Sequence, residues 1–591
     1  MQAEKKKLRL THCLALCWVI GGGLAASTAL TASAAEAVKK VKKAPVPGVV
    51  ASPMESEVAA RTRIAEEGFD GRDVYQILLA EIALKRGELD VAAQAYADVA
   101  QRAGDDSLFG RAVQVAVSAQ QYDLALDIGR RWVAALPQSA GGRHALVSLL
   151  SGTRQGGEMV PHLERLLALD VDARPRNILH LPRLFAGSDA EASLVTVRTL
   201  LAPYKDLPES LFVEATFARA AGQPDQALRL VREALQRRPA WPVATYLDAQ
   251  LQTSAVEAIA VWSRFIETTK DFEQAYVQRG RLYIGEKKYA EGRADFEAAL
   301  ALNKGSVDHL YALGILALQL NNRAAAEGYF KQLDGRDFGG KGLVDYQLGL
   351  LAQERGDIEA AVKYFSAVGK GEYLVMARTQ TALILSRQGR IEEARAMLAG
   401  MDVVTAADRA RLAIAQSQVL REAKQYEAAL DVLENALTAQ PNEPDLLYDK
   451  AMLAERLKKV DVLESTLVRL IELRPNHPHA YNALGYSWAE RNVRLEEARK
   501  LIAKALELAP QDPFILDSMG WVMFRLGQPK AALVNLEEAY RQRPDPEIAA
   551  HMGEVLWSLG RRDEAQKIWR EARKQFPDNE VLGAVIERFK P

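Results

Sequence analysis

Cysteine is almost missing from this chain of 591 residues: Cys13 and Cys17 are the only two, and both fall in the first 34 positions. Loss of that segment would remove disulfides, thiolate metal ligands and a cysteine nucleophile together. Charge of one sign is missing as well. Lysine and arginine total 76 against 77 aspartates and glutamates, so no broad field favours nucleic acid. No β-type alternation competes with helical periodicity after residue 60. Nor does the sequence spell a nucleophile elbow, a zinc-protease helix or a dinucleotide fingerprint.

The front of the chain has its own composition. Lys5, Lys6, Lys7 and Arg9 precede an apolar run from Cys13 to Leu30, and Ala32-Ser33-Ala34 follows as a small-residue cleavage site. That order predicts a secretory signal peptide over residues 1–34, with Ala35 as the new terminus. Leu14-Ala15-Leu16-Cys17 resembles a bacterial lipobox but places Leu16 where such motifs carry Gly, Ala or Ser, so soluble export is expected. Residues 35–60 begin with Lys39, Lys40, Lys42 and Lys43 and continue through Pro45, Pro47 and Pro53, the composition of a flexible basic linker. Any membrane contact is expected through this N-terminal part alone.

What fills the remainder is a repeat. Proline recurs at 441, 475, 510, 544 and 577, at intervals of 33 to 35 residues. A small residue recurs on the same beat at Gly280, Gly314, Gly349, Ala382, Ser417, Ala451, Gly485, Gly520 and Gly553. Sixteen or seventeen positions after each stands a large apolar residue: Phe296, Phe330, Phe365, Leu398, Leu433, Leu467, Ile502, Leu536 and Trp569. A small residue facing a large one is what two closely packed helices require. The pattern is regular over 206–591. It is degenerate over 61–205, where Pro161, Pro175, Pro182 and Pro203 interrupt the helices more often.

This unit resembles the tetratricopeptide repeat, a helical hairpin of about 34 residues that buries its apolar face only against neighbours. The resemblance implies an all-α, right-handed superhelical solenoid of roughly fifteen hairpins. In such repeats the first helix lines the concave face, at offsets −3, +1, +4 and +5 from the small position. Carried over, those offsets select Asn482, Tyr486 and Glu490 around Gly485, then Asp517, Trp521, Phe524 and Arg525 around Gly520, and Glu554 and Trp557 around Gly553. Apart from Glu490, these are the eight residues of the candidate site for a protein or an extended peptide, since aromatics supply area and the polar groups supply hydrogen bonds. Packing between repeats is the competing role for the two tryptophans.

Other near-motifs fall short. Gly335 to Lys341 spells a phosphate-binding loop until Gly342 replaces its Ser or Thr, and Asp337-Phe338-Gly339 has no companion kinase motifs. His477 and His479 lie in a turn with no further ligand, and His551 with Glu554 reads as a surface polar pair. No cofactor, metal or catalytic residue is therefore expected.

Two stretches, Pro546 to Ala565 and Ile77 to Leu89, carry a narrower resemblance. They look like the large outer-membrane or periplasmic repeat proteins of Gram-negative bacteria that act as adaptor of a carboxyl-terminal processing protease (LbcA type). That resemblance implies a non-enzymatic exported scaffold, periplasmic or associated with the outer membrane, whose partners are a protease and its cell-wall hydrolase substrates. The alternative is a periplasmic repeat arm of a polysaccharide export or secretion machine. An enzyme using repeats as a substrate arm is the third reading, and it finds no stretch left over for a catalytic domain.

Overall fold

A computed structural model describes residues 71–589; the expected signal peptide, both cysteines and the basic linker lie outside them. Within that span the chain forms 31 α-helices, most of which pair with the next as hairpins; Arg174–Leu184 and Ala190–Leu201 instead each pack against Pro208–Ala220, and a last helix, Glu580–Arg588, closes the second unit. No strand occurs among the described residues. The chain divides into two compact units, one ending at Gln332 and one beginning at Leu333.

Each hairpin follows the same local logic. The recurrent prolines stand two residues beyond the second helices ending at Ala439, Leu473, Leu508, Gln542 and Gln575, where a residue without an amide proton cannot continue a helix. Side-chain oxygens cap the first helices: Asp512 accepts from the amides of Phe514 and Ile515, and Ser306 accepts from His309. The turn inside the hairpin needs one residue in the left-handed region. Gly527 fills it at φ 77°, whereas Lys424 and Lys458 adopt φ 58° and 57°.

Packing between the two helices follows the small-to-large register. Phe330, Phe365, Leu398, Leu433, Leu467, Ile502 and Leu536 are fully buried. A Cβ added at Gly520 would lie 2.6 Å from Leu536 Cγ and 3.0 Å from the Ala532 carbonyl, so the approach is closed to any larger residue. At Gly553 the same atom would come within 2.0 Å of Trp569 Nε1.

The degenerate stretch is helical too. Pro161 and Pro182 sit inside Gly156–Leu169 and Arg174–Leu184 and do not end them: each forfeits one main-chain hydrogen bond, and burial of the apolar face of each helix offsets that loss. Pro175 occupies the first turn of its helix and Pro203 a short 3₁₀ segment. One copy is shortened, with a nine-residue first helix, Pro242–Gln250, paired with Ala255–Thr268.

The first described helix, Gly71–Arg86, differs from its counterparts. With Ala80 in the small position and Tyr96 opposite it, Tyr75, Leu78, Leu79 and Ile82 correspond to Ile515, Ser518, Met519 and Val522. The latter four are buried under the preceding hairpin; the former four are exposed.

Candidate functional site

Three consecutive first helices of the second unit, Pro478–Glu490, Pro513–Arg525 and Pro546–Ser558, carry all eight candidate residues. Because each helix repeats the same register, equivalent positions stack from one hairpin to the next. Trp521 stands at the middle. Its ring is 4% exposed, and its Nε1 donates to Glu490 Oε2 at 2.7 Å. On the other side the indole stacks on the His551 imidazole, with centroids 4.2 Å apart and planes 20° apart. Phe524 lies 5.5 Å from it and the Arg525 guanidinium 5.7 Å from its centroid. Arg525 also donates to Asn492 Oδ1 at 3.3 Å.

His551 and Glu554 are not surface residues, as their spelling suggested: they are 6% and 8% exposed. The reason is the register, which turns His551 toward the helix before it and Glu554 toward the closing helix. His551 Nδ1 donates to the Asp517 carboxylate, 3.0 Å from both oxygens. Burial disfavours the imidazolium, but the charge and hydrogen bond of Asp517, with Glu490 and Glu554 nearby, outweigh it and raise the pKa above the ordinary imidazole value. Glu554 is paired with Arg588 of the closing helix, and burial still raises its pKa.

Around this core the wall is acidic and open. Glu455, Glu490 and Glu547 reach solvent from three different first helices. Burial by the surrounding wall raises the pKa of Glu455, and the charges of Glu547 and Glu490 push it further the same way. For Glu547 the causes are burial first, then Asp545 and Asp517. Tyr486 is half-buried among these groups, its pKa well above the phenolic range through burial and the charges of Glu490, Asp517, Glu547 and Glu455.

The eight candidate residues thus separate into two sets. Asp517, Trp521 and Glu554 are buried and bound to neighbouring helices; Asn482, Tyr486, Phe524, Arg525 and Trp557 keep partial exposure. Trp557 packs against Trp569 at 5.9 Å and Phe589 at 5.5 Å, which ties it to the closing helix. Glu490, at the +5 offset from Gly485, was selected by sequence reasoning; Glu455 and Glu547 were missed by it, because their convergence with Glu490 depends on how successive hairpins turn against one another.

The remaining near-motifs have structural roles. Lys341 Nζ lies 2.5 Å from Asp345 Oδ2, so the lysine of the phosphate-loop spelling is ion-paired. The His477 ring accepts from the Ala480 amide and caps a helix. Among the described residues no group of three or more His, Cys, Asp or Glu is placed to hold a metal ion, and no helix is long and apolar enough to cross a membrane.

Comparison with known proteins gives the repeat its name. Residues 277–339, 414–462, 464–513 and 523–587 match tetratricopeptide repeat models. A TPR repeat-containing protein of Pseudomonas aeruginosa is 29% identical over 514 residues, 84% of each chain. A human protein O-mannosyl-transferase is 24% identical over 270 residues, 44% of this chain but 29% of that protein. Among solved structures, a thermophilic TPR protein of Thermus thermophilus shares 26% identity and is covered over 96% of its length, against 30% of this chain, with a TM-score of 0.27.

Proposed function

We propose that this chain of tetratricopeptide repeats is a non-enzymatic scaffold of the bacterial cell envelope that holds partner proteins along the first-helix wall of its second unit. The observation that carries this reading is the wall itself. Tyr486 keeps partial exposure among Glu455, Glu490 and Glu547, three carboxylates open to solvent on separate helices, which suits an extended segment bearing cationic side chains. Export is supported by the composition of residues 1–34. The finer reading is an adaptor that presents cell-wall hydrolases to a carboxyl-terminal processing protease. It is supported by the resemblance of Pro546 to Ala565 and of Ile77 to Leu89.

Crosslinking in intact envelopes, followed by capture of the full chain, tests it. The expected catch is a carboxyl-terminal processing protease together with a cell-wall hydrolase, on a bait whose N-terminus is Ala35. Loss of both from a Tyr486→Ala, Glu490→Gln double variant that remains folded would place them on this wall. Recovery of polysaccharide-export or secretion components alone would overturn the adaptor reading in favour of a repeat arm.

A further inference from the structure

The first helices of three consecutive hairpins are joined by one unbroken chain of side chains. Glu490 accepts from Trp521, Trp521 stacks on His551, and His551 donates to Asp517. All three links join one helix to another, and the last returns from the third helix to the middle one, so His551 is held on two sides by the hairpin before its own. The central pair is buried, with side-chain exposures of 7% and 10%. We propose that this chain is a proton-dependent clasp: protonated His551 holds the Gly485, Gly520 and Gly553 hairpins together, and loss of its proton loosens the wall that they form.

The charges facing His551 explain the direction. From the helix before come Asp517 and, through Trp521, the guanidinium of Arg525. One helix further back supplies Glu490 and the Tyr486 ring, whose centroid lies 6.1 Å away. His551's own helix adds Glu547 and Glu554, and the closing helix adds Arg588, which is committed to Glu554. Carboxylates outnumber cations in this company. An imidazolium offsets them and also presents a positive ring to the indole face. A neutral imidazole still donates one hydrogen bond, but it leaves the buried Asp517 carboxylate uncompensated and facing its acidic neighbours.

The sign follows from linkage. His551 binds its proton more tightly in the folded state, so its contribution is fully present below the ordinary imidazole pKa and is lost as pH rises through the raised one. The raised pKa values of Glu455, Glu547 and Glu554 act in the same direction at lower pH, beginning from the ordinary carboxylate range.

Hydrogen exchange on the full chain, corrected for intrinsic rate, reads the clasp without any partner, so it stands or falls apart from the scaffold reading. Between about pH 6.5 and about pH 9, protection in Pro513–Arg525 and Pro546–Ser558 should fall relative to the first unit, by about tenfold for each unit by which the pKa is raised. In His551→Gln, whose amide donates to Asp517 but does not titrate, the fall should vanish. In Glu490→Gln, which keeps an acceptor for Trp521 but removes a charge, its midpoint should move to lower pH. An equal fall in His551→Gln, or no fall in the native chain, overturns the proposal. Should His551→Gln not fold, the Glu490→Gln midpoint decides, and an unmoved midpoint overturns it.

Discussion

Trp521 sits where a groove residue of the repeat would sit, yet its ring is almost wholly covered and its one polar atom is already bonded to Glu490. Its replacement by alanine removes a buried, stacked aromatic together with the donor that ties Glu490 to the next helix. The expected cost is about 3–5 kcal/mol of stability, similar to the range of about 2–5 kcal/mol for Leu536→Ala in the hairpin core. Thermal unfolding of both variants measures it. A Trp521→Ala protein as stable as the native chain would show that the ring is dispensable to packing and free for a partner. Tyr486 is the better probe of binding, because it is half-buried and the wall around it is open.

At the level of the helix, burial depends on what precedes each hairpin. Leu79 and Met519 occupy the same register position, one residue before the small residue, but Leu79 is 38% exposed and Met519 is 6% exposed. Leu79→Lys is therefore expected to change stability by no more than about 0.5 kcal/mol. Met519→Lys would bury an ammonium between hairpins without a partner and should cost about 3 kcal/mol or more. Denaturant midpoints of the two variants give the comparison. Equal losses would mean that the outer face of Gly71–Arg86 is covered in solution.

Within each unit a hairpin packs mainly against its sequence neighbours, so damage should remain local. Gly553→Leu would drive a side chain into Trp569, and Gly314→Leu into Phe330, where an added Cβ already lies 2.1 Å from the ring. Each should cost about 1–3 kcal/mol by overpacking. Hydrogen exchange should show the loss in the substituted hairpin and in its sequence neighbour of the same unit: the second unit for Gly553→Leu, the first for Gly314→Leu. A uniform loss over all described helices in either variant would contradict a nearest-neighbour array. For the same reason, denaturation is expected to be broad and to lack a single two-state transition.

Sequence alone determined the class of fold and the pairing of small with large residues, because these depend on contacts inside one hairpin, whose positions keep a constant spacing. Gly520 opposite Leu536 is legible for that reason, and so is Pro544 beyond the helix that ends at Gln542. Pro161 and Pro182 misled only about where a helix is interrupted, since the hydrogen bond a proline forfeits is offset by the tertiary packing of its helix. The side of a first helix that faces solvent was decided by tertiary structure. Burial of Trp521, His551 and Glu554 arises from how far one hairpin turns against the next, and that angle is a property of the packed surface that no residue spacing records. The pairing of His551 with Asp517, 34 residues apart, and the gathering of Glu455, Glu490 and Glu547 on one wall follow from the same rotation.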